Sequence, residues 1–452
     1  MRAIVLAPCP FVADPRHEYW VKSLEKWGFT TVRAEVIDSI PNATIAKRVT
    51  LQNGVWSAGS NRQSPSTDGW LSHLAAVTSS PLGRMLLGRL RRQVEAGRLL
   101  ADHISSPDVI IANDLNGALV ASLCWDTTQV AVIYDAQEVF TDSFEMLDGP
   151  RFTSAEKSAW ISVETDVCRR VASTVTVSEG IRELYKQRHG ADCFVVPNVV
   201  PKEDHLDNSP SGGPTRFVFL GRPDPHRGLE KLVAAWDFPA GDATLDLYLT
   251  GGLQTKALKK LSSSCTRRFS GPEFRNPVSP DEIVKTLAAY DVGVVPYEYP
   301  YPYTHASPNK LGEYLAAGLA LIVNNQEFSG NLVRVHGLGR VFDWARSGTF
   351  EEAVREMSTP HVFLQSHDAV RIARESELNW DNSVESVRIF LTSRRPVPSR
   401  QETSHDSTKE VLIPATRREA LQSIARQSAL AVAARSYRAY VSLLSWRRIK
   451  SH

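Results

Sequence analysis

Residues 303–325 read YTHASPNKLGEYLAAGLALIVNN, and the fold can be read outward from them. A polar, proline-containing loop opens a helix at about Asn309, Gly318 ends it, and Ala320–Asn324 follows as a short apolar strand. A helix followed by such a buried-type strand, repeated along the chain, predicts a parallel sheet covered on both faces. The first turn of such a helix exposes unpaired N–H groups and positive dipole, which suit a phosphate. Lys310 adds a full cation to that turn, where it is unfavourable without an anionic partner. Glu313 lies three residues later on the same face, placed to accept hydrogen bonds from ribose hydroxyls. The same spacing also describes an ordinary helix start with an exposed Lys and Glu.

The alternation of strand and helix extends in both directions. Toward the amino end, Ala3–Ala7, Thr31–Ile37, Val109–Ala112, Val130–Tyr134, Val175–Val177 and Phe194–Val196 read as strands. Helices are expected at Glu18–Trp27 and Leu82–Ile104, whereas 55–80 resists assignment. The polar, breaker-rich run 201–214 (PKEDHLDNSPSGGP) marks a domain boundary. After it the pattern restarts with strands at Arg216–Leu220, Leu245–Thr250 and Val292–Pro296, and helices at Leu229–Trp236 and Ile283–Tyr290. The expected organisation is two Rossmann-like doubly wound α/β domains, 1–200 and 215–395, joined by 201–214. A second linker, 396–414, leads to a tail at 415–452. From Arg400 onward the chain holds ten Lys/Arg and four Asp/Glu. Apolar residues there recur every three or four positions, which predicts a basic amphipathic helix able to meet an anionic membrane.

Composition sets limits on this reading. The 452 residues exceed one ordinary core, and 42% hydrophobic with 23% charged residues is usual for a globular chain. A net charge of +2 gives no reason to expect a nucleic-acid partner. Five dispersed cysteines with no C-x-x-C pair argue for a reducing compartment and against a zinc site or a disulfide framework. The start, MRAIVLAPCPF, reads as a first core strand and not as an export signal, and no run of about 20 apolar residues spans a bilayer. A cytoplasmic location follows, with peripheral attachment to the membrane's inner face through the tail.

A second constellation lies at 216–230, RFVFLGRPDPHRGLE. An apolar strand ends in Gly221, and Arg222 and Arg227 follow before Gly228 opens a helix. Two guanidiniums in such a loop can clamp a diphosphate through paired N–H donors.

GRPDPHRGLE followed by SPNKLGEYLAAGL resembles the group 1 glycosyltransferases, a retaining family of the B fold. Further similarities run in the family's order. They are Asp14-Pro15-Arg16, PDVIIANDL (107–115), IYDAQEVF (133–140), TVSEGI (176–181), VVPNVV (195–200), FSGPEF (269–274) and YDVGVVPY (290–297). The resemblance covers about residues 1–390. It implies that Glu313, the second glutamate of an E-x7-E element, holds the donor ribose. It implies too that the amides of Asn309 and Lys310, between Ser307 and Leu311, face the diphosphate. Arg222 matches a phosphate-binding Arg, Arg227 stands where Lys is usual, and Gly271 and Pro272 match the loop that packs on the base. The last helix of the second domain is expected to return to the first.

Two positions depart from the pattern. His305 stands where the first glutamate of E-x7-E would fall, on the donor-sugar side, and Gln137 stands where His is usual, followed by Glu138. The implied activity is transfer from a nucleotide-diphosphate sugar to a hydroxyl of an envelope glycan or lipid-linked acceptor. It needs no metal and no cofactor, and Arg222, Arg227, Gln137 and Glu138 serve the chemistry. A non-catalytic binding or partner subunit on the same fold is the alternative that the two departures and the tail motivate. A nicotinamide dehydrogenase is disfavoured, because no G-x-G-x-x-G follows the first strand.

Overall fold

The structure, a computed structural model, describes residues 1–9, 14–36, 46–51, 68–104, 107–144, 151–207, 213–224, 226–250, 252–300, 303–394 and 409–414. Its sheets grow from runs too apolar to face water. The strands β1 (Arg2–Ala7), β2 (Thr30–Glu35), β3 (Ala46–Leu51), β4 (Val109–Asn113), β5 (Ala131–Ala136), β6 (Ser173–Thr176) and β7 (Cys193–Val195) enter the first sheet. Those of the second are β8 (Thr215–Gly221), β9 (Ala243–Leu249), β10 (Glu273–Arg275), β11 (Val292–Val295), β12 (Ala320–Asn324) and β13 (Gly339–Phe342). Every residue of β4, β5, β11 and β12 is buried, as strands covered on both faces must be.

The second sheet has the order β10-β9-β8-β11-β12-β13, and every pair in it is parallel. The chain winds outward from β8 in one direction, then returns to β11 and winds out in the other. The first sheet repeats the scheme as β3-β2-β1-β4-β5, with β1–β2, β1–β4 and β4–β5 parallel. Both are doubly wound, as the alternation predicted. By compactness the chain divides into Met1–Thr174 with Pro396–His452, and Val175–Arg395.

The structure adds elements that hydropathy alone did not mark. Asp68–Val77 is a helix within the stretch that resisted assignment, and the first helix begins at Pro15, with Asp14 as its cap. Within the expected linker 396–414, Lys409–Pro414 forms a strand, β14, paired antiparallel with β3. The tail helix expected at 415–452 lies outside the described residues. In the helix Pro81–His103, Leu86, Leu87 and Leu90 are buried in the core, while Arg84, Arg89, Arg91, Arg92 and Arg98 are exposed. Its apolar stripe thus packs the unit, and the exposed face is basic.

One buried carboxylate joins two helix starts in the first unit. Glu156 closes a capping box with Thr153 at the start of the helix Ser154–Arg170. It also accepts the backbone N–H groups of Ser79 and Ser80, each at 2.7 Å, just before the helix Pro81–His103. Burial alone would raise its pKa, but the N–H donors of Thr153, Ser80 and Ser79 overcome this and hold it at about 2. A depressed carboxylate stabilises the fold above the unfolded pKa and loses that contribution as pH falls toward the folded one. Glu156→Gln is therefore expected to destabilise the chain by about 1–3 kcal/mol at pH 7 in urea unfolding, with the difference shrinking between pH 4.5 and 2.

Candidate functional site

In doubly wound sheets, ligands bind beyond the carboxyl ends of the strands where the winding direction reverses. In the second unit that point lies between β8 and β11. Gly221 ends β8, and a Cβ there would sit 3.2 Å from Lys310 Cε and 3.5 Å from the Phe219 ring, so glycine leaves room for the Lys310 stem. Phe219 in turn meets Tyr297, just past β11, with ring centroids 6.3 Å apart. Arg227 lies over the Tyr297 ring at 4.5 Å. Lys310 and Arg227 are thus brought to one aromatic floor at the reversal point.

The helix Asn309–Ala316 is held from below by buried Leu311, Tyr314 and Leu315. Gly312 packs against the backbone of Asn198 and Val199, where a side chain has no room. Asn198 also fixes the preceding loop, its N–H donating to Ser307 Oγ at 3.2 Å and its amide to Ser307 O at 2.8 Å. No side chain caps this helix; the Leu311 amide donates to Pro308 O at 3.0 Å, and the amides before it are left to other acceptors. Lys310 Nζ donates to Glu313 Oε2 at 2.6 Å, and both side chains are about 15% exposed. The cation therefore has an anionic partner within its own turn.

The other expected residues divide. Arg222 is largely exposed and pairs with Asp224 at 3.2 Å, while Arg227 is mostly buried, with the same carboxylate 4.0 Å away. His305 has its carbonyl bound by Ser178 Oγ at 2.6 Å, its ring against Gly180, and Nδ1 3.5 Å from Glu327. Gly271 and Pro272 are not brought to this end. They precede β10, which runs parallel to β9 and β8, and so lie at its amino end. The loop at the carboxyl end of β10 begins with Asn276 and Pro277, which the sequence reading did not single out.

In the first unit the reversal point lies between β1 and β4. Asp135, at the end of β5, accepts two bonds from Arg16, each 2.8 Å, and a third from Trp20 Nε1 at 2.7 Å. That buried carboxylate fixes the start of the helix Pro15–Lys26. Asp14 caps the helix on Arg16 N and accepts from Gln137 Nε2 at 2.8 Å, so Gln137 is held by the loop after β1. Glu138 is exposed beside them.

Sequence reading missed Asp114, which follows β4 with φ 56°. Its only signal was an Asn-Asp pair ending an apolar strand. Burial first, then the charges of Glu138, Asp14 and Asp135, push its carboxyl up to about 8 against a partial offset from Arg16. Between pH about 4 and 8 the folded chain keeps this proton and the unfolded chain releases it, so stability from this group falls as pH rises. Asp114→Asn also tolerates the left-handed backbone. It is expected to raise the melting temperature by about 2–4 °C at pH 8 and by much less at pH 4.

No protein-family model matches the chain, and no curated protein matches its sequence. Solved structures match its fold. Sucrose-phosphate synthase from Thermosynechococcus elongatus aligns with TM-score 0.57 at 13% identity, over 87% of this chain and 99% of its own. An E. coli trehalose-6-phosphate structure bound with UDP-2-fluoro glucose gives 0.61 at 11%, over 88% and 100%. Anabaena HepE in complex with UDP-glucose gives 0.57 at 14%, over 87% and 100%. At such identities the likeness is one of fold, and the fold is that of the B-type glycosyltransferases.

Proposed function

We propose that the chain is a retaining glycosyltransferase that moves a sugar from a nucleotide-diphosphate sugar to a hydroxyl of an envelope glycan or lipid-linked acceptor. The observation that carries this is the meeting of Lys310, Arg227 and an uncapped helix start at the reversal point of the second sheet. Backbone N–H groups and two cations on one floor suit a diphosphate. The sugar nucleotides bound in the HepE and E. coli structures support this class of donor.

In this reading the bond from the anomeric carbon to the β-phosphate oxygen breaks, and the acceptor oxygen bonds on the same face. Arg222, Arg227, Lys310 and the amides of Asn309 and Lys310 stabilise the departing diphosphate, with no protein nucleophile, cofactor or metal required. The acceptor proton passes to a departing phosphate oxygen. Gln137 cannot titrate, but it keeps hydrogen-bonding groups with which to position the sugar. Glu313 holds the ribose, and His305 stands on the donor-sugar side. Where Glu313 binds ribose hydroxyls, Glu313→Ala is expected to weaken nucleotide-sugar binding by about 1.5–3 kcal/mol in a panel of UDP-, GDP- and TDP-sugars. The melting temperature should fall as well, because Lys310 loses its largely buried partner, and a mutant that binds as tightly as wild type removes this site. Donor hydrolysis by the wild type separates an enzyme from a binding subunit on the same fold, which would show none.

The acceptor reading includes work at the cytoplasmic face of an anionic membrane. No described helix is long and apolar enough to cross one. The exposed arginines of Pro81–His103 and the basic composition of 415–452 support surface attachment. Deleting residues 415–452, which leaves β14 in place, is expected to lower flotation with phosphatidylglycerol vesicles by severalfold. Equal flotation of both chains would exclude the tail as an anchor.

A further inference from the structure

The geometry points to Tyr297 and Tyr299 as positioning residues that hold the Arg227 guanidinium ready for the diphosphate of the donor. This rests on the donor-site reading above and adds to it the reason why an arginine works at position 227. Arg227 Cζ lies 4.5 Å from the Tyr297 ring centroid and 5.7 Å from that of Tyr299. The two rings are 5.0 Å apart and tilted by 48°, so they form a corner around one side of the guanidinium. A cation over aromatic faces is attracted by their quadrupoles, and a planar guanidinium also stacks, keeping its N–H donors at its edge. An ammonium on a flexible stem has no such plane to align.

The backbone fixes both sides of this corner. His226 and Gly228, on either side of Arg227, have φ 64° and 65°, the first of them a left-handed non-glycine residue. A Cβ at Gly228 would run into the Pro296 carbonyl, so only glycine lets the two loops close. Glu298 N donates to His226 O at 2.8 Å, tying the tyrosine loop to the arginine loop. Asn324 Nδ2 donates to Tyr297 O at 2.7 Å, Tyr299 N to Gln326 Oε1 at 3.1 Å, and Trp344 Nε1 to Pro296 O at 3.0 Å. These bonds set both rings before any ligand arrives, and the strained φ at His226 is held in place by them. Preorganisation of this kind lowers the entropy lost when a flexible cation is ordered on a diphosphate.

The experiment is calorimetric titration with UDP and UMP, with GDP/GMP and TDP/TMP run beside them, on the full chain. Tyr299 is chosen because it is partly buried, whereas Tyr297 is in the core. Tyr299→Leu is expected to weaken the preferred diphosphate about three- to tenfold and its monophosphate less than about twofold. Tyr299→Phe, which keeps the ring, should stay within about twofold of wild type for both. Arg227→Lys should lose at least as much diphosphate affinity as Tyr299→Leu. Combining the two should cost little more than Arg227→Lys alone, because the ring then has no guanidinium to position. Equal losses for diphosphate and monophosphate, no loss in Tyr299→Leu, or additive losses in the double variant would overturn the positioning role. A different result marks failure of the donor-site reading itself. In that case no diphosphate binds the wild type, or Arg227→Ala binds it as the wild type does, and the inference falls with it.

Discussion

Parallel pairing is the constraint from which the rest of the architecture follows. Strands that all run one way deliver their carboxyl ends to a single edge, and the loops that leave that edge are the ones free to carry chemistry. In both sheets the winding reverses beside the first strand, at β1/β4 and at β8/β11. Neighbouring connections there turn to opposite faces, leaving a gap between them. Gly221, Lys310, Arg227 and Tyr297 gather at one such gap, and Asp14 and Asp114 follow the strands that bound the other. The burial of β4, β5, β11 and β12 places these strands in the interior of their sheets, covered on both faces, so that their carboxyl ends are carried on a fixed base.

Much of this was legible because it is written locally. The spacing of Lys310 and Glu313 is three residues on a helix, and the structure makes them the ion pair that spacing allows. Gly221 closing an apolar strand likewise needs only the neighbouring residues to be read. The aromatic corner behind Arg227 lies some 70 residues further along, and nothing in the sequence near Arg227 announces it. Asp114 was missed for a related reason. Its raised pKa comes first from burial and then from Glu138, Asp14 and Asp135, which the parallel sheet brings beside it from distant parts of the chain.

Gly271 and Pro272 show how a local pattern misleads. The resemblance sets Gly271 and Pro272 in a loop that packs on the base, but the strand is the next three residues, Glu273–Arg275. A three-residue edge strand with two exposed charged side chains has no hydrophobic period by which its start could be told from its end. The basic helix Pro81–His103 carries a parallel lesson. Its amphipathic pattern fits a membrane surface and a globular core equally, and burial of its leucines assigns the apolar half to the core.

The strand β14 has a consequence for how the first unit is made. It pairs with β3, which pairs antiparallel with β2, so two strands from opposite ends of the chain finish one margin of an otherwise parallel sheet. A nascent chain therefore carries β3 with an open row of backbone donors and acceptors until residues 409–414 have been synthesised. An open margin of that kind invites pairing with another chain. Closing it also requires the most sequence-distant pairing among the described strands, which places this ladder among the last to assemble. Completion of the amino-terminal unit is thus coupled to arrival of the carboxyl-terminal segment, and a ribosome stalled before residue 409 would hold a first unit with its border unfinished.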